Sequence, residues 1–518
     1  MKTLKFIAGI ISAYGLVHLS ACSDYVQKME NEHDVWMIQQ FLNLEEPSSS
    51  SVSTVVLSSS AESVSSSSAV ASSSSRVHAN EESGKNLSSV AQSSSSVAVA
   101  TVSSSSEAVS VSSSAVSASM LAATANANYS TYFYQTWKSF HYVTLEDESA
   151  YYSDIAGDFG EVFSAQFQPA ARVVWSAMTA GAYRSSCSDE NATVANMKFR
   201  GCSVSEGTGY GMLLTYFNGD DEAFVRLWNY SRAYRDYFEQ NLTPWITYSF
   251  YFRNIASSSA TDADLDIATA LILMYYKTGT QACLTDALKI VNAIWDNEIN
   301  KSNLLVYSGD ESTWQGSNPV YNLSYFSPVA IRLFAQVDPA HNWTGVLDAM
   351  YAYMAKVQAA GTGVFPDWSN GSGVAADPGN GSADRTYWTF NKEAVRIPWR
   401  IAWDYYWYNE PRALAILQKL NNFIVTKSGG APSSSALGVN YSWDPAKSDI
   451  TGSASSVVPA YWLAAWCATG IGTNPAWLNS CTSVVNSTVL TNSTASYYVD
   501  VLLTVYSALL NGAFVKPF

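Results

Sequence analysis

Three acidic segments stand out in a chain that is otherwise sparsely charged. The first is Ser205-Glu206-Gly207-Thr208-Gly209-Tyr210-Gly211-Met212, and the second is Thr261-Asp262-Ala263-Asp264-Leu265-Asp266. The third is Phe390-Asn391-Lys392-Glu393-Ala394-Val395-Arg396-Ile397-Pro398-Trp399-Arg400. Glu206 precedes a helix and lies among glycines. A helix N-terminus lowers a carboxyl pKa, whereas burial against Tyr and Trp raises it; general-acid chemistry needs the second effect to win. Helix capping is the ordinary use of such a Glu. The three alternating Asp of the second segment equally suit dipole-favoured capping around Thr261 and Asp262. An EF-hand calcium loop is discounted, because its Gly and its closing Glu are absent. Glu393, three residues before Arg396, is either part of a site or half of a surface ion pair worth little. Taken together, the segments offer separated carboxylates in aromatic, weakly charged surroundings, which is what glycoside hydrolysis needs.

The elements that must position these residues are helical. Residues 264–277 place Leu265, Ala268, Ile272 and Tyr275 on one stripe. Similar stretches cover 209–217, 222–239, 283–297, 328–337, 343–359, 400–408, 411–425, 460–468 and 497–510. Continuous alternating strands are hard to find. About a dozen helices joined by loops rich in Gly, Ser, Asn and Trp suggest an all-α toroid of paired helices rather than a doubly wound sheet. The unusual residues sit on the loops, where function concentrates.

The 518 residues carry 28 Lys and Arg against 43 Asp and Glu, a formal charge of −15. That balance excludes the basic stripes of a nucleic-acid-binding protein and gives no attraction to anionic membranes. Residues 1–22 read as a lipoprotein signal peptide: Lys2 and Lys5, an apolar stretch too short to span a bilayer, then Leu19-Ser20-Ala21-Cys22 with Cys22 as the lipidated residue. Residues 23–46 form a short segment without assigned function, and 47–120 a Ser-rich stretch lacking aromatics, expected to stay a disordered linker. Residues 121–518 are the folded domain. The layout of anchor, tether and large domain suits an exported protein at the outer membrane or cell surface, working on something too large to import. Its only membrane contact is then the lipid, and a monomer is expected. An exported chain permits disulfides; Cys187 with Cys202 and Cys467 with Cys481 are the local pairs, leaving Cys283 unpaired. Only His141 and His341 lie in the folded part, which argues against a His/Cys zinc site.

The three segments resemble the bacterial glycoside hydrolase family 8, inverting enzymes with an (α/α)6 barrel. The likeness runs from about Thr131 to the C-terminus and includes Asn318-Pro319, Ser324-Tyr325-Phe326-Ser327-Pro328, Pro366-Asp367-Trp368 and Tyr497-Tyr498 with Asp500. It implies Glu206 as general acid and Asp262 or Asp264 as the residue that holds and distorts the sugar. It also sets Tyr325 near the attacking water, and Tyr210, Asp367, Trp368, Arg396 and Trp399 against the substrate. Two departures occur. Lys392-Glu393 stands where the family usually has Tyr-Asp, which makes the expected base, Glu393, one methylene longer, and Leu323 is inserted between Asn322 and Ser324. The implied substrate is a β-1,4-linked glucan, with xylan and chitosan as alternatives, and the implied reaction needs no metal or organic cofactor. The rival from another class is a non-catalytic polysaccharide-binding lipoprotein.

Overall fold

The computed structural model describes residues 120–147, 163–175, 202–247, 250, 257–379, 386–451, 458–491 and 496–518. The signal segment with Cys22, the Ser-rich stretch and Cys187 lie outside these residues.

Twelve helices of nine or more residues are found among the described residues. In chain order they are α1 (Ala127–His141), α2 (Ser205–Phe217), α3 (Asp221–Tyr237), α4 (Thr261–Thr278), α5 (Gln281–Glu298) and α6 (Pro328–Val337). There follow α7 (Trp343–Ala360), α8 (Ile397–Tyr408), α9 (Pro411–Ser428), α10 (Ala460–Ala468), α11 (Pro475–Asn486) and α12 (Tyr497–Leu510). Their burial alternates. In α2 eleven of thirteen residues are buried, whereas α1 buries five of fifteen. A helix apolar on all sides belongs inside, and one with a single apolar stripe belongs outside. The even-numbered helices, all but α6 of the first kind, contact one another in the closed order α2, α4, α6, α8, α10, α12 and back to α2. The odd-numbered helices pack around them. The fold is an all-α (α/α)6 barrel.

The inner ring closes because small residues allow close crossings. At Gly209 a Cβ would come within 2.9 Å of Asp266 Cβ and 3.2 Å of the Ala263 carbonyl oxygen, so α2 meets α4 almost backbone to backbone. A buried ion pair, Arg400 to Asp266, ties α8 to α4; its second contact is 2.8 Å long. Cys467 and Cys481 are bonded and join α10 to α11. Cys202 is disulfide-bonded, and Cys283 is buried and unpaired.

Among the described residues there are three short two-stranded antiparallel ladders. They pair β1 (Tyr142–Thr144) with β2 (Ala171–Val173), β3 (Ser203–Val204) with β4 (Ile246–Thr247), and β5 (Val320–Tyr321) with β6 (Ser369–Asn370). These pieces are too short to show alternation in the sequence. Val204 passes directly into α2, so β3 fixes the entry of the helix that carries Glu206.

Candidate active site

Five of the six inner helices contribute their first turn, or the residues just before it, to one cavity. Its walls include Glu206 of α2, Asp262 of α4, Tyr325 ahead of α6, Glu393 and Arg396 ahead of α8, and Tyr497 at the start of α12. Trp175, Trp245, Val204, Ser205 and Ala260 complete the lining. Glu206 lies in the first turn of α2 rather than ahead of the helix, because the glycines after it are helical and packed against neighbours.

Arg396 joins the three acidic segments. Its Nη1 donates to Glu206 Oε2 and, at 3.1 Å, to Asp262 Oδ2, while Nη2 donates to Glu393 Oε2. The residue is only 3% exposed, so this is no surface ion pair. The Tyr325 ring lies 5.3 Å from the guanidinium carbon. Glu206 Oε1 accepts from the Tyr497 hydroxyl at 2.8 Å. Asn322 Nδ2 donates to Glu393 Oε2 at 2.7 Å. The amide of Asn322 faces that way because its oxygen is taken by the Ser324 amide at 3.0 Å and hydroxyl at 2.6 Å.

One guanidinium against three carboxylates leaves the cavity short of positive charge. Burial raises the Glu206 pKa to about 7; Arg396 pulls it down, Asp262 pushes it up, the Tyr497 hydrogen bond lowers it and Glu393 raises it. Burial likewise raises Asp262 to about 6, against the lowering effect of Arg396 and Arg400. Burial thus keeps the Glu206 carboxyl protonated to a higher pH than an ordinary Glu, which is what a general acid needs.

Residues 183–503, more than half of the chain, match the profile of glycosyl hydrolases family 8. The chain belongs to that family. Endoglucanase C of Ruminiclostridium cellulolyticum is 33% identical over 226 residues, which are 43% of this chain and 46% of that protein. A beta-glucanase of Niallia circulans is 30% identical over 249 residues, 45% of this chain and 60% of that one. The chain therefore spans about half the length of the curated relatives it matches. A reducing-end xylose-releasing exo-oligoxylanase of Paenibacillus barcinonensis is 25% identical over 40% of this chain and 56% of its own length. Among solved structures, the apo beta-1,3-1,4-glucanase from Paenibacillus sp. X4 aligns with a TM-score of 0.57 at 23% identity, over 76% of this chain and 93% of that one. That likeness concerns the fold.

Within this family 8 barrel, several residues expected at the substrate lie elsewhere. Asp264 points behind the cavity wall, where its Oδ1 accepts the Thr243 amide at 2.8 Å. The spacing of two along a helix turns Asp262 and Asp264 to different sides, and only Asp262 lines the cavity. Asp367 holds backbone: its Oδ1 accepts the amides of Asn391 at 3.0 Å and Ala394 at 2.9 Å, on either side of Glu393. Burial and the nearby charge of Glu393 raise its pKa to about 7, opposed by these amides. Trp368 is stacked on Trp314, centroids 5.4 Å apart, outside the cavity lining. Trp399 is core: it stacks on Trp403 at 5.8 Å and lies 3.9 Å beneath the Arg400 guanidinium. Tyr210, one turn beyond Glu206, packs edge-on against Trp399 at 5.9 Å. Conversely, sequence reasoning passed over Trp175, Trp245 and Asn322. A lone Trp in a loop carries no spacing signal, and Asn322 acts only through the turn that follows it.

Proposed function

We propose that this protein is an exported endo-acting hydrolase of β-1,4-linked glucan, working by inverting single displacement. The observation that carries this reading is the convergence of Glu206, Asp262 and Glu393 from three inner-helix starts on an aromatic-walled cavity. Glu206, protonated, gives its proton to the glycosidic oxygen as the bond to the anomeric carbon breaks. Water attacks that carbon from the opposite face, and Glu393 takes the proton the water loses, so one water is added per bond cut. Inversion calls for carboxyls roughly 6.5–9.5 Å apart; Glu206 and Glu393 are bridged by the two Nη atoms of Arg396. Asp262 stabilises the positive charge that develops on the distorted ring. Trp175 and Trp245, both buried, form part of the aromatic wall of the cavity. The endoglucanase and beta-glucanase names of the relatives support glucan. Xylan is the second reading, favoured by the exo-oligoxylanase relative. A purely binding role is disfavoured by the paired Glu206 and Glu393. Export and lipidation at Cys22 rest on the sequence alone.

The test is reducing-sugar release by the purified chain from barley β-glucan, carboxymethylcellulose, xylan and chitosan. Release from β-glucan ahead of the others, with mid-chain cuts and a rapid fall in viscosity, is the expected result. No release from any of the four would overturn the reading.

A further inference from the structure

Tyr497, His141 and Asp500 form a buried group that the mechanism above does not use. Tyr497 is the first residue of α12 and is 2% exposed. Its hydroxyl donates to Glu206 Oε1 at 2.8 Å. The ring lies over Gly207: a Cβ at that position would meet Tyr497 Cε2 at 3.0 Å and its hydroxyl at 3.2 Å. On another side the ring meets His141 edge-on, with centroids 6.3 Å apart. His141 is itself fixed by Asp500 at 2.8 Å, one turn further along α12. Asp500 also accepts the Ser496 amide at 3.1 Å, which secures the start of the helix. The hydroxyl is thus held by a glycine notch and an imidazole–carboxylate pair, neither of which touches the cavity.

We infer that Tyr497 is a positioning residue for the general acid, orienting the Glu206 carboxyl and steadying the carboxylate that proton transfer leaves behind. The inference rests on Glu206 being the acid. Tyr497 donates to Oε1 and Arg396 to Oε2, so both oxygens of Glu206 are held. As the proton leaves, charge grows on Glu206 and the Tyr497 hydrogen bond strengthens, so it stabilises the transition state more than the ground state. Other groups act on Glu206 as well: Arg396 and Glu393 ahead of α8, Asp262 and Asp266 on α4, Tyr210 on its own helix, Tyr325 ahead of α6, and Tyr498 beside Tyr497. None of these contacts is altered directly by removing one phenolic oxygen.

Tyr497→Phe tests this. A hydrogen bond to the ionised form lowers a pKa, so its loss moves the alkaline limb of the kcat profile upward, by about one pH unit. On β-glucan kcat falls about 10- to 100-fold with KM unchanged. On a dinitrophenyl β-oligosaccharide, whose leaving group needs no proton, the rate stays within about threefold. Gly207→Ala, which pushes the ring and keeps the hydroxyl, shifts the limb in the same direction and serves if the Phe variant does not fold. An unmoved limb in the folded variant, or equal losses on both substrates, overturns the inference. Glu206→Gln assayed alongside separates the two levels. If it still turns over β-glucan, the acid assignment fails. If it is inactive while Tyr497→Phe leaves the limb in place, only the role of Tyr497 fails.

Discussion

Shortening the side chain in the water-activating position is the sharpest perturbation of the site, and Glu393→Asp is the variant in question. It restores the side chain usual in the family, so the sequence alone favours it. The structure predicts the opposite. Glu393 Oε2 is held by Arg396 and, at 2.7 Å, by Asn322. Removing one methylene draws the carboxylate back by about 1.5 Å, which leaves Asn322 about 4 Å away, beyond hydrogen-bond reach. The backbone cannot follow, because Asp367 grips the amides of Asn391 and Ala394. A displacement of about 1 Å costs on the order of 100-fold, equivalent to about 2.7 kcal/mol in the barrier. Initial rates on β-glucan should show kcat down by about that factor with KM little changed. Glu393→Gln, which keeps the shape and cannot take a proton, should lose about 10²–10⁴-fold, and azide should restore turnover with a glycosyl azide of inverted configuration. An Asp variant within threefold of the parent kcat would refute the claim that these contacts set the reach. A Gln variant of near-normal kcat would remove Glu393 as the base.

Burial raises the pKa of both Asp264 and Glu298, and the nearby charge of Asp264 raises that of Glu298 further. Their neutral forms belong to the fold, so their stabilising contribution is complete below the unfolded carboxyl pKa and is lost as pH rises through the raised folded values. Calorimetry from about pH 4 to about pH 9 should show Tm falling on the alkaline side, and Asp264→Asn should flatten that fall; an unchanged slope would contradict it. Cys467→Ser opens a bridge with a sequence separation of 14 and should cost about 3 kcal/mol in urea unfolding, whereas no change would show that the bridge contributes nothing.

Helical periodicity was readable from the sequence wherever a helix lies wholly within the apolar pattern. Residues 328–337, 460–468 and 497–510 coincide with α6, α10 and α12. The start of α2 was not readable at 205, because Gly207 and Gly209 look like a loop until the approach of Tyr497 and α4 is known. The outer helices α1 and α11 went unread: their single stripes are interrupted by Ser, Thr and Asn. For the site, residue type and order brought Glu206, Asp262, Glu393 and Arg396 into view. Their meeting on one guanidinium depends on ring closure, which no local pattern encodes. The same holds for Asp367, whose acidity suggested a ligand for sugar although its partners are main-chain amides.

Donation of the leaving-group proton by Glu206 is central to the proposed reaction, and leaving-group dependence tests it most directly. Glu206→Gln should be compared with the parent on β-glucan and on a dinitrophenyl β-oligosaccharide under identical conditions. The expected result is a loss of about 10²–10⁴-fold on β-glucan and less than about tenfold on the activated substrate. Retention of more than a few per cent of β-glucan turnover, or an equal loss on both substrates, would contradict it.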